Sequence, residues 1–208
     1  MKPFILLFIV MSLGFGSVAL AEDPSDGKSL DLTLRLGVIL GSVELEDPAT
    51  QTTTPFTYGG VPIGVGFNFD FSRWFTFSVE GHFVFDQSNA QITRTGFDFM
   101  AAFHLLGGAR RTTSDYGGSA TLMSRDSYNL SLLLRTGFHS YGATSQDVGD
   151  TLEGSVFENK IGAQYRYDID SLNAISASFL ITGLSLPSGL QRLTTSLIAI
   201  FVDWRFFL

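Results

Sequence analysis

The sequence predicts an all-β chain, an antiparallel up-and-down transmembrane β-barrel, and three observations carry that expectation. Apolar residues alternate with small or polar ones at a period of two through most of the chain beyond residue 28. An export leader fills the first 21 positions. The composition is apolar and poor in charge, 45% hydrophobic and 16% charged over 208 residues, with 20 Phe, 22 Gly and no Cys. So low a charged share excludes a disordered chain or a coiled coil. Twenty acidic against thirteen basic residues argue against a nucleic-acid binder, which wants a basic face. Without cysteine there is no disulfide framework, no Cys-based zinc site, no thiol catalysis and no acylated N-terminal Cys.

The leader sets the compartment. Lys2 gives a positive start, Phe4 to Leu20 is an apolar stretch broken only by Ser and Gly, and Ala19-Leu20-Ala21 is a small-x-small cleavage site followed by Glu22-Asp23-Pro24. This is the anatomy of a secretory signal peptide, cut after Ala21. Residues 1–21 are therefore expected to be the signal peptide and 22–208 the barrel domain. No later stretch reaches the roughly 18–20 consecutive apolar residues of a membrane helix.

Eight runs then follow the strand period, in which alternate residues point to opposite faces. Leu30 to Leu40 alternates with Asp31, Thr33, Arg35, Gly37, Ile39 and Gly41. Val61 to Phe71 alternates with Gly60, Pro62, Gly64, Gly66, Asn68 and Asp70. After a tight turn at Ser72-Arg73, Phe75, Phe77, Val79, Phe83 and Phe85 alternate with Thr76, Ser78, Glu80, His82 and Val84. Phe97, Phe99, Ala101, Phe103 and Leu105 oppose Gly96, Asp98, Met100, Ala102 and His104.

The second half repeats the scheme. Tyr128, Leu130, Leu132, Leu134 and Phe138 oppose Asn129, Ser131, Leu133, Arg135, Gly137 and His139. Phe157, Ile161, Ala163, Tyr165 and Tyr167 oppose Glu158, Lys160, Gly162, Gln164 and Arg166. Ile175 to Ile181 opposes Ala174, Ser176, Ser178, Leu180 and Thr182, and Ile198 to Phe206 opposes Ala199, Phe201, Asp203, Arg205 and Phe207. Long loops are expected at 44–57, 86–92, 140–155 and 184–191, with short turns at 72–73 and 168–172, the alternation of a membrane barrel. Residues 107–126 fall where a short turn belongs. They form either an ordered excursion or a hidden hairpin, so the strand count is eight, with ten as the alternative.

A soluble barrel would point its apolar face inward, and the residue sizes argue against that. Columns of Phe would overfill the inside of an eight-stranded barrel. The opposite face is mostly Gly, Ala, Ser, Thr and Asn rather than the Lys and Glu of a solvated sheet. Aromatics also gather at the predicted strand ends. Phe71, Trp74, Phe75, Tyr128, Tyr165, Tyr167, Trp204 and Phe206 mark one level, and Phe56, Tyr58, Phe83, Phe85, Tyr141 and Phe157 the other, as at the two interfaces of a bilayer. In lipid the backbone must be paired internally, so a sheet that spans it must close.

The leader, the eight alternating strands and the aromatic-rich final strand IAIFVDWRFFL resemble small bacterial outer-membrane barrels of the OmpA/OmpX and opacity-protein type, over the whole of residues 22–208. The resemblance implies the outer membrane of a Gram-negative bacterium, contact with membrane lipid and lipopolysaccharide, and insertion by the barrel-assembly machinery. That machinery reads an aromatic C-terminus in such proteins; here Phe206 and Phe207 precede Leu208. It also implies a lumen filled by polar side chains and no wide pore.

Charges on a narrow lumen wall are costly unless paired. A crude register places Glu80 opposite Asp98, Asp98 opposite Arg135 and Arg135 beside Lys160. At the closing seam it pairs Asp31 with Arg205 and Arg35 with Asp203. These eight residues are the expected structural salt-bridge network.

No catalytic or metal site is expected, and no cofactor. His82, His104 and His139 all take lumen positions, but alternating strand directions put His104 near the other end from the other two, so they read as buried hydrogen-bonded fillers. An enzymatic alternative, a lipid A-modifying barrel, needs a nucleophile, a base and a carboxylate together. His139-Ser140 with Glu153 or Glu158 is the one gathering, and adjacent strand residues face opposite ways. A second alternative is a secreted lipocalin-like binding barrel. Arg110, Arg111 and Arg125 could touch anionic lipid headgroups or belong to a solvated loop. The expected function is non-enzymatic, structural or surface-interacting through the loops, whose ligand the sequence leaves unnamed.

Overall fold

A computed structural model describes residues 29–46, 53–72, 74–86, 92–107, 111–116, 120–125, 127–144, 151–169, 173–188 and 192–207. The leader at 1–21 lies outside the described residues. All regular structure among them is β. The strands are β1 (Ser29–Glu46), β2 (Thr53–Ser72), β3 (Phe75–Asp86), β4 (Ile92–Leu106), β5 (Arg111–Tyr116), β6 (Ala120–Arg125), β7 (Tyr128–Thr144), β8 (Thr151–Asp168), β9 (Asn173–Ser188) and β10 (Arg192–Phe207).

Eight of these strands close into an antiparallel barrel in the order β1-β10-β9-β8-β7-β4-β3-β2. The other two, β5 and β6, pair only with each other. The 107–126 segment is thus a hairpin outside the barrel wall, which resolves the count: eight strands in the barrel and two beside it. A register shift between His104 and Leu106 and a left-handed Gly107 (φ 70°) turn the chain out of β4, a backbone conformation that glycine adopts without steric cost. Arg111 stands opposite Arg125 in that hairpin, and Arg110 lies outside the described residues.

The expected loops are shorter than the sequence suggests. Strand pairing carries β1 to Glu46, starts β2 at Thr53, carries β7 to Thr144, starts β8 at Thr151 and carries β9 to Ser188. Thr, Ser and Gly suit an exposed strand end as well as a loop, so composition alone placed these boundaries too early. What remains of 44–57, 86–92, 140–155 and 184–191 lies outside the described residues. The two tight turns, β2–β3 and β8–β9, share one end of the barrel with the β5–β6 hairpin; this is the turn end, and the opposite one is the loop end.

The sidedness follows the period of two. Leu36, Leu40, Ile63, Phe67, Phe85, Phe97, Leu132, Ile161, Phe179 and Ile200 face outward, with Leu40 59% exposed, while Asp31, Glu158 and Asp203 inside are fully buried. This is the reverse of a lipocalin, whose apolar residues point inward. At the turn end Phe71, Trp74, Tyr128, Tyr165, Tyr167 and Trp204 are exposed on the wall. At the loop end three expected girdle residues are corrected: Tyr58 and Tyr141 face the lumen, 1% and 2% exposed, and meet edge to face at 6.0 Å, and Phe56 packs against the same buried cluster. Their parity, even in β2 and odd in β7, is that of the lumen rows.

Candidate functional site

Among the described residues, the lumen is where the fold gathers chemistry. It is layered along the barrel axis. At the turn end it holds small polar groups: Asn68 donates to Thr33 at 2.5 Å and accepts from Ser78 at 2.6 Å, and Thr76 donates to Asp70 at 2.5 Å. His104 sits here, its ring nitrogens 2.8 Å from the Thr76 hydroxyl and 2.7 Å from that of Ser131.

The middle layer carries the charges. Glu80 bridges two guanidinium groups, Arg35 at 2.6 Å and Arg135 at 2.6 Å. Arg35 also pairs with Asp203 through two contacts, at 2.5 and 2.8 Å, and Arg135 with Asp98 at 2.6 Å. Both guanidinium carbons lie over the ring of Phe201, at 4.7 and 5.2 Å from its centroid, a cation–π arrangement that strengthens as water is excluded. Phe201 therefore interrupts the small-residue face of β10 with a purpose: it is the platform for two arginines.

A second hub forms around Glu158. Its carboxylate accepts from Arg94 at 2.8 Å, from the Tyr141 hydroxyl at 2.6 Å and from Thr195 Oγ1 at 2.9 Å, and it contacts Lys160. Between the hubs Asp98 faces His82 and His139, each at 3.2 Å, with the two rings 5.0 Å apart. Among these residues four cations (Arg35, Arg94, Arg135, Lys160) face four carboxylates (Glu80, Asp98, Glu158, Asp203), so the layer is formally neutral. Every one of the eight is buried.

The register explains which expected partners meet. Glu80 is opposite Asp98, Arg135 opposite Lys160 and Arg35 opposite Asp203. Asp98, however, stands opposite Gly137, with Arg135 opposite Met100. The ion pair between Asp98 and Arg135 is diagonal because the hairpin excursion, not a tight turn, sets the β4–β7 register. At the closing seam Asp31 lies opposite Phe207 and Thr33 opposite Arg205, so Asp31 and Arg205 are not directly opposed as expected but diagonal, and they act on each other by charge across that offset; no turn joins β1 to β10, and shear fixes their offset. Arg205 donates to Gln164 at 3.0 Å. Lys160 enters the layer through Glu158 rather than through an acid of the expected set.

Sequence reasoning did not place Arg94, His82, His139 and Glu158 in this layer. The signal was parity: Arg94 continues the inward row Gly96, Asp98, Met100 of β4, and the others already stood on lumen faces. Gly137 makes room for the layer, since a Cβ there would lie 2.2 Å from Asp98 Oδ1 and 2.3 Å from the Phe97 carbonyl oxygen. Gly137→Ala is expected to cost about 1–3 kcal/mol by overpacking, read as an earlier midpoint in urea unfolding of the folded barrel.

At the loop end the lumen turns apolar. Ile39, Val43, Val84, Ile92, Val156, Leu193 and Leu197 are buried there beside Tyr58 and Tyr141, where a uniformly polar lumen was expected.

Two chemical readings can be tested on this geometry. His82, Asp98 and His139 offer ligand atoms within 4.8 Å of one another. Each is also in contact with a fixed cation: Arg94 is 3.1 Å from His82 Nε2, Arg135 2.6 Å from Asp98 and Lys160 3.3 Å from His139 Nε2. A divalent ion placed there would meet three like charges, so the donor set suits ion pairing better than metal binding. The His139-Ser140 pairing is not assembled either. His139 faces the lumen, whereas Ser140 is exposed on the wall with its hydroxyl 3.5 Å from that of Ser155.

The fold is that of the small eight-stranded outer-membrane barrels of the OmpA/OmpX/opacity type. The chain is similar to Neisserial surface protein A (TM-score 0.56, 7% identity, over 87% of this chain and 99% of that one). It is also similar to the outer membrane protein OprG from Pseudomonas aeruginosa (TM-score 0.51, 9% identity, over 89% and 99%). The attachment invasion locus protein Ail of Yersinia pestis aligns over 86% of this chain and 98% of that one at a TM-score of 0.43 and 12% identity. No family model matches the chain, and no curated protein matches it in sequence.

Proposed function

We propose that this chain is a non-enzymatic integral barrel of a Gram-negative outer membrane, delivered by cleavage after Ala21 and inserted by the barrel-assembly machinery. In this reading outer-membrane lipid and lipopolysaccharide contact its wall. The charged layer closes its lumen as a structural plug, and the loop end faces outward to contact ligands.

One observation carries the reading: a closed sheet with its large apolar residues outside and its charges buried within. Such a wall in water would expose an apolar patch far beyond the few hundred Å² that soluble monomers tolerate. In hydrocarbon it is the favoured surface, and closure gives every barrel strand a neighbour on both sides. The interior of eight strands is filled by side chains, here by paired ions.

The test is cell fractionation, with the detergent-extracted membranes run unboiled and boiled on a denaturing gel. Recovery with the outer membrane and a heat-dependent mobility shift are expected. Planar bilayers containing the purified barrel are expected to lack a large, sustained conductance. A protein soluble without detergent, with no shift, would overturn the membrane reading, and a wide stable pore would overturn the plug.

A further inference from the structure

The barrel wall has one weak seam. In the other seams the ladder of paired residues reaches to within two residues of the end of the shorter overlap, Pro62 interrupting it briefly between β1 and β2. Between β9 and β10 it stops at Ile181 and Ile198, although β9 continues to Ser188 and β10 begins at Arg192. Thr182–Ser188 and Arg192–Leu197 thus run side by side unpaired with each other, each still paired on its far side with β8 or β1.

The cause is local. Against β8 the register shifts where Asn159 pairs with Leu184 and Lys160 with Thr182, so Gly183 is the extra residue of a bulge, which bends a strand and ends pairing. Side-chain hydroxyls stand in for the missing ladder. The Leu197 N–H donates to Thr182 Oγ1 at 3.2 Å, and the Thr195 N–H to Ser185 Oγ at 2.9 Å. On the outer side the gap is flanked by exposed Leu184, Leu186 and Ile198; on the inner side lie buried Leu193, Leu197 and Val156. Leu193 closes it from within by packing on bare Gly154 of β8, where a Cβ would lie 2.0 Å from Leu193 Cδ1. Apolar surface therefore runs from the wall, through a breach held by hydroxyl groups, to the apolar loop-end lumen.

We propose that this seam is a binding site for an alkyl chain drawn from the surrounding bilayer, which enters between β9 and β10 above Gly183 and lies against Leu193, Leu197 and Val156. The site rests on the membrane reading above. A lipid chain is the occupant because the breach opens on the lipid-facing wall and large apolar side chains stand on both sides of its hydroxyl groups, while the charged layer beneath leaves no apolar path onward. Glu158, held by Thr195, forms the floor.

The absence of cysteine permits a clean test. Ser185 Oγ and Thr195 Oγ1 are 3.2 Å apart, close enough for a Ser185→Cys/Thr195→Cys pair to form a disulfide across the seam. The folded protein is incubated in detergent with laurate, and retained laurate is counted by native mass spectrometry. The reduced pair and the wild type are expected to retain one laurate more than the oxidised pair. Deleting Gly183 removes the bulge residue while keeping Thr182 and Ser185 inward and Leu184 outward, so it restores the ladder and is expected to lose the same laurate. If the cysteine pair does not fold, the deletion decides alone. Equal retention by the wild type and the closed-seam variants overturns the site. Each variant's heat-dependent gel shift reports folding separately, so failure of the membrane reading shows there and not in the laurate count.

Discussion

Glu158→Ala is expected to lower the stability of the folded barrel by about 3–5 kcal/mol, the range for stripping one partner from a buried ion pair. The substitution leaves Arg94 and Lys160 buried without the carboxylate they face, and it orphans the Tyr141 hydroxyl. Its cost is therefore mostly that of uncompensated cations rather than of lost attraction. This distinction is measurable. Glu158→Ala/Lys160→Met removes one charge of each sign and keeps an apolar stem of similar length, so it is expected to recover part of the loss. A double variant no better than the single one, in urea titrations read by the gel shift, would mean that desolvated charge is not what makes Glu158 important.

The outward rows of the barrel were legible because they obey a single constraint. Leu30 to Leu40 or Val61 to Phe71 must all face hydrocarbon, so the period of two is unbroken and parity alone orients each strand. The inward rows answer to several partners at once and are read less completely. Glu80 and Asp98 meet across a direct β3–β4 pairing, while Asp98 and Arg135 meet only because a diagonal offset brings the guanidinium beside the carboxylate. That offset depends on the β5–β6 excursion. Arg94 is hard to read because it lies just inside a segment whose start has loop-like composition, although its parity is that of Asp98. Phe56, Tyr58 and Tyr141 mislead for the opposite reason: aromatic character suggests a membrane interface, and only the continued row shows that they belong to the lumen face.

The same logic explains why the apolar loop-end lumen was not foreseen. Several of its residues, such as Val43 in β1 and Leu193 in β10, lie in the short stretches between the alternating runs and the expected loops. Once pairing carries those strands further, their inward parity is fixed and they converge above Glu158. A barrel whose lumen were polar throughout would admit water down to the charged layer. The apolar cap excludes it, which raises the cost of leaving any ion in that layer unpaired.

Arg135→Ala follows from this setting and is expected to cost about 3–5 kcal/mol as well. One guanidinium nitrogen reaches both Glu80 and Asp98, and the group packs over Phe201. Its removal leaves Asp98 facing two histidines and Glu80 dependent on Arg35 alone. Arg135→Met separates the two contributions, because it keeps an apolar stem beside Phe201 and discards the charge. If pairing dominates, Met is nearly as destabilising as Ala, and Arg135→Lys, which can still present an ammonium to both carboxylates, retains most of the stability. If instead Met matches the wild type in thermal or urea unfolding, the packing against Phe201 holds the layer together and the ion pairs contribute nothing net. The lumen would then be a packed core that happens to carry charge, and its neutrality would reflect the need to avoid an unpaired ion rather than any stabilisation gained from pairing.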